Sequence, residues 1–250
     1  ADAKGIAVAM MHALAALKRQ GKASRVACLF VVGEETDHKG AAAAAKSMLR
    51  PAYIILGEPC GLVPAKAQKG LLKLRLSAKG SAGHSAYPEL GTSAIHLLIE
   101  AINALSSAPL PADEVLGDTT VNVGQISGGV AANVIAKDAS ALVLIRCAAP
   151  VNAIWHAVEE RLPEGVRAEE LNRAEPVDFE SAGREGGPTV PFNTDAHTLS
   201  PLGATMLLMG PGDMRCAHAP DERLAHEDLA QGISAYAEIV AHILTNEDLN

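Results

Sequence analysis

The stretch VACLFVVGEE (26–35), followed by KGAAAAAKSML (39–49) and AYIILGEP (52–59), decides the fold. Residues 26–32 form a continuous apolar run rich in β-branched side chains, the pattern of a strand buried on both faces. Residues 39–49 read as helix, and 52–57 as a second buried strand. Acids close both strands: Glu34 and Glu35 after the first, Glu58 after the second. Strand, helix, strand with polar ends predicts an open α/β domain whose ligand crevice lies at the C-terminal ends of the strands. Upstream, GIAVAMMHALAALKR (5–19) repeats small and apolar groups at helical spacing and stops at Gly21, a natural residue for a helix end.

The texture changes near Lys69. LLKLRLSAKG (71–80) alternates, as a half-exposed antiparallel strand does. A helix fits 92–106, closed by Pro109 and Pro111. Strands follow at 119–126 and 139–147, then a helix at about 150–161 and a short strand near 166–171. This β-α-β-β-α-β order predicts a separate α+β domain of ferredoxin-like type. Residues 172–189 are polar and rich in Gly and Pro, and they read as a return linker. VPFNTD (190–195) and ATMLLMG (204–210) then read as strands, and 225–245 as an amphipathic helix. One domain is thus expected to interrupt another: residues 1–68 and 176–250 form the first, and 69–175 the insert.

The 250 residues are 48% hydrophobic and 20% charged, ample for a buried core. Disordered, collagen-like and small disulfide-scaffold classes are excluded. The net charge of −8, spread along the chain, argues against nucleic acid, which demands a basic footprint. The four cysteines lack any CxxC pairing; Cys28, Cys60 and Cys147 lie in or beside apolar runs and are expected as core-packed thiols of a reduced, cytoplasmic protein. No run of 18 apolar residues and no basic-then-apolar leader is found, so neither a membrane partner nor a signal peptide is expected.

Glu34 and Glu35 follow a run too apolar to tolerate free charge, and a metal would compensate them. Glu58 ends the neighbouring strand, so three acids would share one crevice and repel one another without a cation. Each also reads, taken singly, as an ordinary solvated turn. His84 sits in the Gly-rich GSAGHSAYPELG (80–91), and His218 in GPGDMRCAHAPDE (210–222), ahead of Asp221 and Glu222. A histidine among carboxylates suits a metal ligand held in one tautomer, although loop histidines are commonly plain surface residues. His12, His96 and His156 lie within helices, and His38, His197 and His226 carry no motif.

Together, DAKG (2–5), GEET (33–36), GEP (57–59), KG (69–70), AGHSAYPELG (82–91), GGVAANVI (128–135), Arg146, GPG (210–212) and AHAPDE (217–222) form an ordered set. That set resembles the dinuclear zinc amidohydrolases and exopeptidases that include acetylornithine deacetylase, succinyl-diaminopimelate desuccinylase, aminoacylase and carboxypeptidase G. The resemblance implies a zinc-exopeptidase-like α/β catalytic domain interrupted by a ferredoxin-like dimerisation domain. It implies hydrolysis of the amide bond of an N-acyl amino acid or related amine, with two Zn2+ per subunit, which Co2+ can replace. A di- or aminopeptidase is the alternative within the family.

Residue by residue, Asp2 resembles the carboxylate bridging the two ions, followed in the family by a cis peptide. Glu34 resembles the general base that activates the attacking water. Glu35 and His218 resemble ligands of one ion, and Glu58 a ligand of the other. His84 is similar to the dimerisation-domain histidine that reaches the partner subunit's site in a homodimer. Asn133, Arg146 and the backbone at Gly212 correspond to positions that hold the substrate, commonly by its carboxylate; a guanidinium fork suits that task. The family's HxD segment, which supplies one further zinc-ligand histidine, has no counterpart ahead of Ala1. One ion therefore keeps Asp2, Glu35 and His218, while the other keeps Asp2 and Glu58. Two readings follow: the 250 residues are part of a longer polypeptide whose HxD segment is missing or on another chain, or the chain is a shortened relative with a depleted site, binding a single ion or serving as a non-catalytic dimerising or ligand-binding remnant.

Overall fold

A computed structural model describes residues 1–107 and 109–247 of the chain. These divide into two compact units: residues 1–67, 178–190 and 194–247, and residues 68–107 and 109–177 with 191–193.

The first unit is built on helix α1 (Lys4–Arg19) and helix α6 (His226–Glu247), which pack on one another. In α1, Ile6, Ala9, Ala13 and Leu17 are buried at spacings of three and four, one stripe of a helix. In α6, Glu227 and Asp228 occupy the first turn, where carboxylates complement the helix dipole. Tyr236, Ile239 and Ile243 close the core against Ile6, Ala9, Leu207 and Met209. Strand β1 (Tyr53–Gly57) runs parallel to β8 (Thr205–Met209), with Tyr53 opposite Thr205 and Gly57 opposite Met209. Both strands therefore end at the same level, and Glu58 and Gly210 leave the sheet side by side. A Cβ on Gly210 would lie 2.5 Å from the Glu58 carbonyl oxygen, so only glycine allows that approach. Helix α2 (Lys39–Ala45) packs against the short α5 (Ala196–Leu199).

Two expected strands are absent. Residues 26–32 pair with no strand among the described residues; they run as irregular chain, with Leu29, Phe30 and Val32 exposed. An apolar run reports what burial would favour, but a central strand also needs neighbours on both edges, and β1 finds its neighbour in β8. Residues 190–195 form a bend rather than a strand, since Pro191 lacks an N–H and Thr194-Asp195 lead into α5. Helix α2 is also shorter than expected, ending at Ala45, with the Ser47 hydroxyl donating to the Ala44 carbonyl. Of the three cysteines expected in the core, Cys147 is buried, while Cys28 and Cys60 are half-buried; all four cysteines are free thiols.

The second unit is a four-stranded antiparallel sheet with two helices. In chain order it comprises β3 (Gly70–Lys79), α3 (Ala94–Ser107), β4 (Thr120–Gly128), β5 (Asp138–Cys147), α4 (Val151–Glu159) and β6 (Val166–Ala174). The spatial order is β4-β5-β3-β6, that of a ferredoxin-like fold. Strict alternation buries Leu72, Leu74, Leu76 and Ala78 of β3 with Ala139, Ala141, Val143 and Ile145 of β5. Leu98, Ala101 and Leu105 of α3, with Val151, Ile154 and Val158 of α4, complete that core. Two further short strands, β2 (Ala67–Gln68) and β7 (Val177–Asp178), pair with one another. No described helix is long and apolar enough to cross a membrane.

Candidate active site

The C-terminal ends of β1 and β8 gather the acids. Asp2, Glu35 and His218 offer three ligand atoms within 4.8 Å of one another. Nε2 of His218 lies 2.8 Å from Glu35 Oε1 and 3.4 Å from Asp2 Oδ2. The Asp2–Ala3 peptide bond is cis. Glu222 ties two of these segments together: its carboxylate accepts the backbone N–H of Asp2 at 2.7 Å and that of His218 at 3.0 Å. His218 itself sits in the left-handed region, with φ 58°. A non-glycine residue there is held by its surroundings, and such positions gather at functional sites.

The remaining acids feel this cluster. Burial, then the charges of Asp2, Glu34, Glu35 and Asp195, push the Glu58 carboxyl up to about 9. Burial, then Glu35 and Asp195, push Glu34 up to about 7, partly opposed by His38. Burial and Glu35 likewise raise Asp2, while the hydrogen bond to Glu35 raises His218. The site is thus a set of half-buried carboxylates that resist ionising together, the environment that a divalent cation relieves. Two carboxylates and an imidazole with converging ligand atoms fit a zinc-type ion.

The other predicted residues fall elsewhere. His84 is exposed in the second unit, where its Nδ1 accepts the Ala86 N–H at 3.1 Å and its ring meets Tyr87 edge-on. A neutral ring then carries its proton on Nε2, which is left to donate outward. The Ser85 N–H donates to the Asn133 carbonyl at 3.1 Å, so the loops bearing His84 and Asn133 are joined. Arg146 lies on β5 opposite Leu71 and Thr120; it is half-buried, and burial lowers its pKa. Gly212, in the first unit with φ +107°, would bring a Cβ to 3.2 Å from Pro59.

Sequence reasoning missed His38 and Asp195. Nδ1 of His38 lies 2.8 Å from Oδ1 of Asp195, a residue only 6% exposed. The signal was faint: a histidine four positions after Glu34, and an acid in a segment expected to be a strand. Glu222 was noticed only as an acid near His218; it holds that residue's backbone, while Glu35 holds its ring.

Residues 66–172 match the peptidase dimerisation domain of the M20 family. A peptidase M20 domain-containing protein of Schizosaccharomyces pombe is 32% identical over 97% of this chain and 62% of its own length. A probable carboxypeptidase of Aspergillus flavus is 34% identical over 96% of this chain and 62% of its own. The chain therefore spans about three fifths of these relatives. The fold is shared with the aminopeptidase PepT of Bacillus cereus (TM-score 0.77, 20% identity, 96% of this chain and 70% of that one). It is shared too with a tripeptidase of Staphylococcus aureus (TM-score 0.73, 20% identity, 98% and 71%). An α/β unit with an acidic, metal-competent centre, joined to an M20 dimerisation domain, defines the class. Residues 66–172 are an M20 peptidase dimerisation domain, and nearly the whole chain is similar to M20 peptidases.

Proposed function

We propose that this chain carries the amide-hydrolysing centre of a metal-dependent M20 hydrolase, acting on an N-acyl amino acid or related N-acyl amine. The convergence of Asp2, Glu35 and His218 beside the raised carboxyls of Glu34 and Glu58 carries this reading. Asp2, Glu35 and His218 would hold one ion, zinc in the first instance, and Asp2 with Glu58 would hold part of a second. Such an ion supplies Lewis acidity for the scissile carbonyl and makes water acidic enough to attack at neutral pH.

The chain's own groups do the rest. Glu34, beside this ion set, takes a proton from the attacking water and passes it to the departing amine. His84 donates from Nε2 to the developing oxyanion, acting in a homodimer on the partner subunit's site. Arg146 and Asn133 would bind the substrate carboxylate, and the Gly212 backbone is assigned separately to substrate contact.

Peptide cleavage is the second reading, favoured by relatives described as carboxypeptidase, aminopeptidase and tripeptidase. The test is a panel of N-acetyl and N-succinyl amino acids beside di- and tripeptides. Turnover abolished by a chelator and by Glu34→Gln is expected; absence of chelator-sensitive turnover on every substrate overturns the proposal. Faster cleavage of peptides than of acyl amino acids selects the second reading. Sedimentation should find a dimer, and an active, strictly monomeric protein would contradict the role given to His84.

A further inference from the structure

The turn that carries Glu34 and Glu35 is closed on itself. The N–H groups of Thr36, Asp37 and His38 all donate to the Gly33 carbonyl, at 3.2, 3.0 and 2.7 Å, and the Gly40 N–H donates to Val32 at 2.9 Å. A Cβ on Gly40 would lie 2.4 Å from the Val32 nitrogen, so this closure requires glycine. A turn this tight moves as a body, and its placement depends on what holds its ends.

His38 is its last residue, in the left-handed region at φ 53°, immediately before α2. Asp195 immediately precedes α5, which packs against α2. Their side chains meet at 2.8 Å across 157 positions of sequence. Asp195 is buried and His38 largely so, which shields their hydrogen bond from water. Both groups act electrostatically on Glu34.

We infer that His38 and Asp195 form a positioning dyad, in which the Asp195 carboxylate accepts the Nδ1–H of His38 and so fixes the turn bearing Glu34 and Glu35. The tether stands on geometry alone; its effect on catalysis rests on the hydrolase reading proposed above. A ligand-bearing element held this way loses typically ten- to a hundredfold in metal affinity or activity when its support is removed.

The experiment uses the full chain with His38→Ala and His38→Asn. Asparagine keeps an N–H donor close to the Nδ1 position and tolerates the left-handed backbone. Nitrogen NMR of the metal-free wild type should find His38 protonated on Nδ1; an unprotonated Nδ1 overturns the dyad, whatever the protein's activity. Zn2+ affinity, read by competition with a chromophoric chelator, should fall about tenfold or more in His38→Ala and return to within about threefold in His38→Asn. With turnover in hand, kcat should fall likewise while KM stays within about twofold. Unchanged Zn2+ affinity in His38→Ala, or failure of His38→Asn to restore it in a chain with wild-type thermal stability, contradicts the proposal. A wild type that binds Zn2+ but hydrolyses nothing defeats the hydrolase reading and leaves the dyad to be decided by affinity and NMR.

Discussion

The inserted sheet and the acidic end of β1 and β8 are built on opposite principles. In the insert, every second residue of β3 and β5 is apolar and buried, from Leu72 to Ala78 and from Ala139 to Ile145. Nothing in that buried core waits for a ligand. Around Asp2, Glu34, Glu35 and Glu58, carboxylates are gathered at a cost to their own ionisation, a cost that protonation or a bound cation lowers. One region therefore supplies stability, and the other spends some of it on chemistry, as functional sites commonly do.

The contrast can be broken first in the sheet. Leu74 is fully buried, and Leu74→Ala should cost about 2–5 kcal/mol in denaturant unfolding. Glu34→Gln should leave stability within about 1 kcal/mol of wild type, or raise it in metal-free buffer, because it removes a half-buried carboxyl that resists ionising. A Glu34→Gln variant destabilised as much as Leu74→Ala would erase the distinction.

Glu222 comes next. Glu222→Gln keeps the shape but leaves one carbonyl oxygen where two carboxylate oxygens now accept the N–H groups of Asp2 and His218. Zn2+ affinity by calorimetry should fall about tenfold or more.

The pH dependence sharpens the comparison further. An acid whose pKa is higher folded than unfolded binds more protons folded, so stability declines as pH rises between the two values. For Glu34 that window runs from its ordinary 4.5 to about 7, and for Glu58 from 4.5 to about 9. Metal-free protein should therefore melt at progressively lower temperature as pH rises through this range, and Zn2+ should flatten the decline. A flat melting profile in chelator would count against the crowded acids.

The smallest effect belongs to the exposed rim of the insert. Lys79 and Asp138 pair across β3 and β5 in open solvent, and Lys79→Ala should barely move the denaturant unfolding midpoint, by less still at high salt.

Much of the insert was legible in the sequence because alternation at period two is a local signal that burial of one sheet face enforces. Leu72, Leu74 and Leu76 announce their face without knowledge of any partner. The run at 26–32 was misleading for the converse reason: hydrophobicity states a preference for burial, whereas a strand exists only if another strand lies alongside. Asp2, Glu34, Glu35, Glu58 and His218 were each visible at a motif or strand end. His38 and Asp195 were not, because their significance lies in a contact spanning 157 positions, which neither residue signals alone.

The central claim is that the acids at the ends of β1 and β8 form a cation site. Zn2+ titration of the purified chain at neutral pH, by calorimetry, tests it most directly. Saturable binding of at least one ion per chain, weakened about a hundredfold or more by His218→Ala with the fold intact, is the predicted result. No saturable binding, or binding indifferent to His218→Ala and Glu35→Ala, would contradict it.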